Sequence, residues 1–196
     1  MSQAHDVSDH EFVFCSTSSR DMYLFDCNTE TVTSLGPRTP FDYVNDFETT
    51  DMSLDEFGVD KYGALWYITA GWKMDKPTDE FYRAPNPRLL IYWDFKNGKK
   101  PECLGILSSQ DISFNAASCM CIDQKNDRLY AIGAATRVDG KTPEIMPEGG
   151  AQTICCIDLA ELRPKMHEKG PVWDQPMKVT CLLYTSGNRR GELSSQ

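Results

Sequence analysis

The chain has 196 residues, of which 40% are hydrophobic and 25% are charged, a balance typical of a folded globular protein rather than a disordered one. Its formal net charge of −9 argues against a non-specific nucleic-acid binder, which needs a basic surface to displace counterions from phosphates. No apolar run reaches the roughly 18 residues that cross a bilayer, and the start of the chain is polar, so we expect a cytoplasmic protein that contacts no membrane.

Short strands in three groups are predicted along the chain, because the apolar runs are rich in β-branched and aromatic residues and are separated by turn residues. The first group has three strands, at 12–17, 22–27 and 31–35. The second group has four strands, at 56–60, 64–70, 89–95 and 102–107. The third group also has four, at 117–123, 128–134, 153–159 and 179–184. One short helical turn is predicted at 159–163.

The second and third groups repeat the same sequence pattern. Segment 59–68 (VDKYGALWYI) returns about 63 residues later as 122–132 (IDQKNDRLYAI), and each copy indicates a strand, a turn and a strand. A second shared segment, Leu90–Asp94, recurs as Ile154–Asp158. Self-similarity at a fixed period indicates a repeat architecture, in which each unit buries its faces only against its neighbours.

Tandem four-stranded antiparallel units are typical of a β-propeller, in which a single blade is too thin to bury both of its faces. We therefore predict an all-β, β-propeller-like array of about three blades in one domain, 1–196, with blade-like units at 10–36, 54–109 and 116–186. A β-sandwich also uses many short strands, but it would not explain two near-copies with the same order of short and long connections.

The amino-acid sequence of the repeat resembles that of a known group of propellers. Asp60-x-x-Gly63-x-Leu65-Trp66, followed by an apolar run ending in Asp94, is similar to blades of the streptogramin-lyase and two-component-regulator propellers and of some propeller-fold polysaccharide lyases. Those families place histidines, a metal site or an arginine–tyrosine pair on one face, and no complete set of these is matched here. The resemblance implies a propeller fold and leaves the chemistry open.

Propellers usually close with about four to eight blades, and the three predicted blades are fewer than that. The first group also lacks an inner strand. An arc of such sheets has two open edges, which favour pairing with other chains. We therefore expect the ring to be completed by further blades of a longer propeller, by a second copy or by another subunit.

In an antiparallel meander, successive connections lie alternately at the two ends of a blade. Segments 36–55, 70–88, 108–116 and 135–152 should lie at one end, with the short turns 61–63 and 96–99 at the other. Long connections without regular structure are uncommon unless they are functional, so the predicted site lies at the end with the long loops.

Aromatic and arginine side chains occur together in these long connections. The candidate ligand-binding residues are Trp72, Arg83, Arg88, Arg38, Arg137 and Asp42. Stacked aromatics and bidentate arginines suit a uronic-acid ligand, and Tyr82 and Tyr43 are weaker candidates for an acid or base. A simpler interpretation is that each aromatic anchors its loop and each arginine pairs with a nearby carboxylate.

Other polar residues of the repeat have a structural interpretation. Asp60 and Asp123 follow an inner strand, where a carboxylate caps backbone N–H groups of the turn, and Asp26, Asp94 and Asp158 are interpreted in the same way. Cysteines in the strand-like runs are expected to be buried free thiols. Neither a metal nor a cofactor is expected, since there is no C-x-x-C pair and the three histidines lie outside the repeats.

Two classes of function follow from this pattern. We expect a ligand- or partner-binding propeller module, completed by a second copy or further blades. The alternative is a lyase-like, carbohydrate-active enzyme whose loop arginines would neutralise an acidic oligosaccharide.

Overall fold

The structure is a computed structural model that describes residues 2–16, 21–38, 54–70, 88–109, 112–137, 151–166 and 184–185. Over these residues the chain is all-β, with three antiparallel sheets and little helix. The described sheets do not close into a ring. The part of the chain that is described contains no helix long and apolar enough to cross a membrane.

The first sheet has four strands rather than the three predicted. They run in the order β1–β2–β3–β4 and comprise Ser2–Asp6, Glu11–Ser16, Asp21–Asp26 and Thr31–Pro37. Strand β1 was missed because its sequence, SQAHD, has no apolar alternation. It forms because its backbone pairs with β2, with Ala4 opposite Phe14, and because the His5 ring packs edge-on against Phe57 of the second sheet at 4.5 Å.

The second sheet follows the prediction closely. Its strands are β5 (Leu54–Val59), β6 (Leu65–Ala70), β7 (Arg88–Trp93) and β8 (Glu102–Ile106), again in chain order. A 3-10 turn at Phe95–Asn97 ends at Gly98, which has a φ of 67°. This left-handed backbone is one that glycine adopts without strain.

The third sheet has the order β9–β10–β11–β12–β13. Its strands are Ser108–Ser109, Ile112–Asp123, Arg128–Arg137, Ala151–Asp158 and Tyr184–Thr185. The predicted connection 108–116 is wrong, since β9 and the start of β10 pair there as a hairpin. The helix α1 spans Leu159–Met166 and is longer than the predicted turn. Of the predicted last strand, 179–184, only Tyr184 is described.

The three sheets stack face to face in chain order, and the second sheet lies in the middle. Alternate residues of β6 supply the two faces, so Leu65 and Tyr67 are buried toward the first sheet while Trp66 and Ile68 are buried toward the third. The first-to-second core also contains Val13, Cys15, Met22, Phe57, Val59, Leu89, Ile91, Trp93 and Cys103. The second-to-third core also contains Leu90, Leu107, Phe114, Met120, Leu129, Ala131, Ala135, Cys155, Ile157, Leu159 and Leu162.

Strand β5 of the second sheet and strand β10 of the third lie close together. A Cβ on Gly58 of β5 would lie 3.2 Å from the Ile122 side chain of β10, so glycine permits this approach. Strand β1 of the first sheet also contacts β5. Strand β5 therefore has both β1 and β10 as neighbours.

Strand directions give the molecule two distinct ends. The turns at Val7–His10, Asp60–Ala64 and Gln124–Asp127 follow β1, β5 and β10 and lie at one end, which we name the turn end. Ala70 at the end of β6 pairs with Arg88 at the start of β7, which places both at the opposite, loop end. The strands thus confirm that the predicted loops leave from one end.

Candidate binding surfaces and the inter-sheet ion network

The structure places two of the predicted ligand-binding arginines at the loop end. Arg88 is half-buried at the first position of β7, and Arg137 ends β11 opposite Ile112. Five other predicted site residues lie outside the described residues, namely Trp72, Arg83, Asp42, Tyr82 and Tyr43. The carbohydrate hypothesis, which depends on them, stays a prediction.

Arg38 is not at a surface. It follows β4 at the loop end but is 1% exposed, and its carbonyl accepts a hydrogen bond from the hydroxyl of Tyr67 in the second sheet. Its guanidinium also lies near the Cys15 thiol. Burial raises the pKa of this thiol, and the positive charge of Arg38 opposes that rise. The residue predicted to hold a ligand thus lies between the first and second sheets, where it contributes to their packing.

The Asp60 turn shows why aspartate recurs in the repeat. Its Oδ1 accepts hydrogen bonds from the backbone N–H groups of Tyr62 and Ala64 at 2.9 and 3.0 Å, which confirms the predicted cap. Its Oδ2 accepts two further hydrogen bonds that were not predicted. It accepts from the Trp66 indole at 2.8 Å and from an Arg163 Nη at 2.7 Å, with the Asp60 side chain fully buried.

Arg163 joins the second and third sheets through two carboxylates. From helix α1 it donates to Asp60 and, at 2.5 Å, to Asp127 of the β10–β11 turn. Lys61 of the second sheet approaches the same Asp127 oxygen at 3.2 Å. The hydrogen bond from Arg163, followed by that from Lys61, holds the pKa of Asp127 below its ordinary value despite burial.

Aromatic faces complete this arrangement. The Arg163 guanidinium lies 4.8 Å from the Tyr62 ring centroid and 5.7 Å from that of Trp66. Buried charges are stabilised when each has a partner of opposite sign and further hydrogen bonds. Asp60, Arg163, Asp127 and Lys61 pair with one another across the two sheets, while Asp127 Oδ1 and Arg163 Nε are buried without a hydrogen-bond partner among the described residues. Such a network is suited to holding two sheets together.

The sequence contained only a weak indication that Arg163 joins two sheets. The predicted helical turn contained this residue, yet nothing local ties it to Asp60, which is 103 positions away. The remaining repeated aspartates act within their own turns. Asp123 Oδ1 accepts from the backbone of Lys125 and Asn126, and Asp158 Oδ1 accepts from Glu161 N, while Asp94 accepts from the Asn97 side chain.

A cavity of about 440 Å³ opens at the turn end, between the first and second sheets. Its lining includes Asp6, Asp9, His10, Glu11 and Lys61. Glu11 lies 3.8 Å from Lys96, which also donates to the Val7 carbonyl at 3.0 Å and so ties the rim of the cavity to the second sheet. These exposed and partly buried side chains form a mostly acidic rim, and the described residues among them do not form a ligand site.

The outward side of the first sheet carries a cluster of aromatic side chains, which we name the first-sheet outer face. Phe12, Phe14, Tyr23 and Phe25 project from β2 and β3 away from the second sheet, with centroids 5.1 to 5.9 Å apart for the successive pairs. Val32, opposite Phe25, is 57% exposed. All four rings are only partly buried.

The outward side of the third sheet is also apolar, and we name it the third-sheet outer face. Its apolar described side chains are Cys119, Cys121, Tyr130, Ile132, Ile154 and Cys156, and the exposed Arg128 lies on the same face, hydrogen-bonded to Tyr130. Cys119 and Cys121 share this face and both are exposed, so the prediction that they are buried thiols is wrong for this pair. It is confirmed for Cys15, Cys155 and Cys156, while Cys181 lies outside the described residues.

Positions that match in the repeat have different environments in the two sheets. Leu65 pairs with Val59 and Leu129 pairs with Ile122, so Trp66 and Ile68 of β6 correspond to Tyr130 and Ile132 of β11. Trp66 and Ile68 are fully buried against the third sheet, whereas Tyr130 is half-buried and Ile132 is 38% exposed. The third sheet therefore presents the same face that the second sheet buries.

No known protein family and no curated protein matches this chain. Among solved structures, one that it is similar to is a structural genomics protein of unknown function from Bacteroides thetaiotaomicron, with 13% sequence identity and a TM-score of 0.39. The match covers 79% of this chain and 38% of that one, so the chain spans well under two thirds of that protein's length.

Proposed function

We propose that this chain is a binding module of β-propeller type, whose three sheets act as consecutive blades and whose two outer faces bind neighbouring sheets. The stacking order, the position of β5 beside both β1 and β10, and the shared direction of the turns support a radial arrangement about an axis beside these three strands. A propeller blade buries its faces only against adjacent blades, so an end blade needs a partner.

One observation carries this proposal. The residue pair that is fully buried in the second sheet, Trp66 and Ile68, has its counterpart Tyr130 and Ile132 on an outward face. Apolar area removed from water contributes about 25 cal/mol per Å², so a sheet with an uncovered apolar face gains by docking. Contiguous exposed apolar surface on a folded protein commonly marks an interaction site.

Thiol labelling tests whether the third-sheet outer face is covered where the protein is naturally produced. Cys119 is exposed on this face and Cys27 is exposed in the β3–β4 turn, outside both outer faces. In an extract of the producing cells, maleimide should modify Cys27 readily and Cys119 at least about tenfold more slowly, because covering blocks access to the thiolate.

Two internal controls make this comparison quantitative. Cys103 is buried, and burial raises its pKa to about 12, so it should stay unmodified until urea unfolds the chain. Cys121 is a poorer probe than Cys119, since partial burial and the neighbouring Cys119 and Asp123 raise its pKa. Equal labelling of Cys119 and Cys27 in the extract would show an uncovered face and contradict the proposal.

A further inference from the structure

The two contacts inside the chain follow a common rule at the turn end. At each contact a lysine of the second sheet meets a carboxylate of a neighbouring sheet, Lys96 with Glu11 of the first and Lys61 with Asp127 of the third. Beneath these pairs, alternate apolar residues of the facing strands form the core. An additional sheet that docks by the same rule needs an apolar face and a charge of suitable sign at its turn end.

The outer faces of this chain supply both halves of such a contact. The third-sheet outer face has Tyr130, Ile132 and Ile154 in the positions that Trp66, Ile68 and Leu90 occupy in the second sheet. The first-sheet outer face offers four aromatic rings and Val32. Aromatic and aliphatic side chains of this size dominate the core of protein interfaces.

The turns beside these faces also carry opposite charges. In the third sheet, Lys125 is exposed in the turn that corresponds to the Lys61 turn of the second sheet. In the first sheet, Asp9 is exposed in the β1–β2 turn, which corresponds to the turn of the third sheet that holds Asp127. A contact between Lys125 and Asp9 would therefore reproduce the Lys61–Asp127 pair.

We infer that a second copy of this chain is the occupant, with the first-sheet outer face of each copy packed on the third-sheet outer face of the other. This inference rests on the proposed function, since it requires the sheets to act as blades. Two copies give a heterologous contact used twice about a two-fold axis, which closes. The resulting six sheets lie within the range of about four to eight blades, whereas three copies would exceed it.

Complementing variants test this head-to-tail arrangement. The full chain should have the mass of two copies by light scattering at micromolar concentration, and Phe14→Asp and Ile132→Asp should each give single copies. An equimolar mixture of the two variants, carrying different tags, should regain pairs, because the unmodified first sheet of the Ile132→Asp chain still fits the unmodified third sheet of the Phe14→Asp chain. A Lys100→Asp control, at an exposed position outside both faces, should stay paired.

Other outcomes overturn the inference. If the unaltered chain stays single at all concentrations, no second copy binds. If Ile132→Asp leaves pairs intact, the contact joins two first sheets instead. If the mixture stays single while circular dichroism shows both variants folded, the head-to-tail arrangement is wrong.

A charge exchange at exposed residues avoids any effect on the core. Lys125→Glu and Asp9→Lys should each weaken the pairing about two- to twentyfold, since a surface ion pair contributes little by itself but the contact occurs twice and each reversal also adds repulsion. The chain carrying both changes should regain most of the lost affinity. Equal weakening in the double variant would contradict the Lys125–Asp9 contact.

The labelling experiment separates this inference from the proposed function. If purified chain is single and Cys119 reacts freely, but Cys119 is protected in the cell extract, another partner covers the face and only the second-copy inference fails. If Cys119 reacts freely in both, the proposed function fails as well. Protection that increases with the concentration of purified chain supports both.

Discussion

The turns after Asp60 and Asp123 have similar sequences and different roles. Both carboxylates cap their own turns through Oδ1. At Asp60 the second oxygen is buried and accepts from Trp66 and Arg163, whereas at Asp123 it accepts from the exposed Asn126 side chain of the same turn, at 2.6 Å. The difference arises because a third sheet and its helix cover the Asp60 turn, while nothing described covers the Asp123 turn in the same way.

This comparison shows that a repeated motif specifies a turn, while the neighbouring sheet decides how much that turn contributes to stability. A capping hydrogen bond at a surface typically contributes about 1 kcal/mol. A buried carboxylate with a guanidinium partner is far more sensitive, because losing one partner leaves an uncompensated charge. Matched substitutions in the two repeats should therefore have unequal effects.

The largest expected difference concerns the aromatic residues that follow the two turns. Trp66→Ala should lower the free energy of unfolding by about 3 to 5 kcal/mol, since it leaves a cavity and removes the indole donor to Asp60. Tyr130→Ala should cost under about 2 kcal/mol in the single chain, because its ring is only half-buried. Urea unfolding followed by circular dichroism measures both.

Protein concentration sharpens this first comparison. At concentrations where two copies pair, the cost of Tyr130→Ala should approach that of Trp66→Ala, because the ring is then covered. A cost for Tyr130→Ala that already equals the Trp66→Ala cost in dilute, single chains would show that the two sites do not differ.

The next effect concerns the two carboxylates themselves. Asp60→Asn keeps the Oδ1 cap but places an amide N–H₂ against the Trp66 and Arg163 donors, so we expect a loss of about 2 to 4 kcal/mol. Asp123→Asn, the matched control, should cost less than about 1 kcal/mol, since its contacts are exposed. The same urea midpoints decide the matter, and equal losses would argue against a buried network at Asp60.

A smaller effect concerns pH, which should act on the two inter-sheet contacts in different ranges. Burial lowers the pKa of His5 below 6.5, with Asp6 opposing, so its stabilising effect is complete above about pH 6.5 and is lost as the pH falls through the lowered value. The pKa of Asp127 is lowered mainly by Arg163, so its contribution is complete above about pH 4 and is lost only in stronger acid.

Two variants separate these ranges. His5→Asn should remove the loss of stability that begins near neutral pH, and Asp127→Asn should reduce the loss at acidic pH, to which Asp26 and Asp123 also contribute because hydrogen bonds within their own turns lower their pKa values. Asparagine suits position 127, where φ is 56°, because it tolerates left-handed backbone better than most residues. Urea midpoints measured between pH 7.5 and 3 should show the two losses separately; a single loss abolished by either variant would contradict the assignment.

Much of the fold was accessible from the sequence, for identifiable reasons. The strands of the second sheet were predicted to within a few residues, because the apolar segment LWYIT is bounded by a turn signal. The segment SQAHD could not be predicted as β1, since its stability comes from pairing with β2 and from the contact of His5 with Phe57. Arg38 was assigned to a surface because its environment depends on Cys15 and Tyr67, both distant in sequence.

By itself, the sequence determined the local elements: the all-β class, the meander order, the repeated turns and their aspartate caps, and the common end from which the long connections leave. Those features depend on residues that are close in the chain, where alternation and turn chemistry act directly. Only the tertiary structure decided which faces are buried, where Arg163 binds, and which two faces remain outward, because these depend on contacts between sheets that the chain brings together from positions as far apart as Asp60 and Arg163.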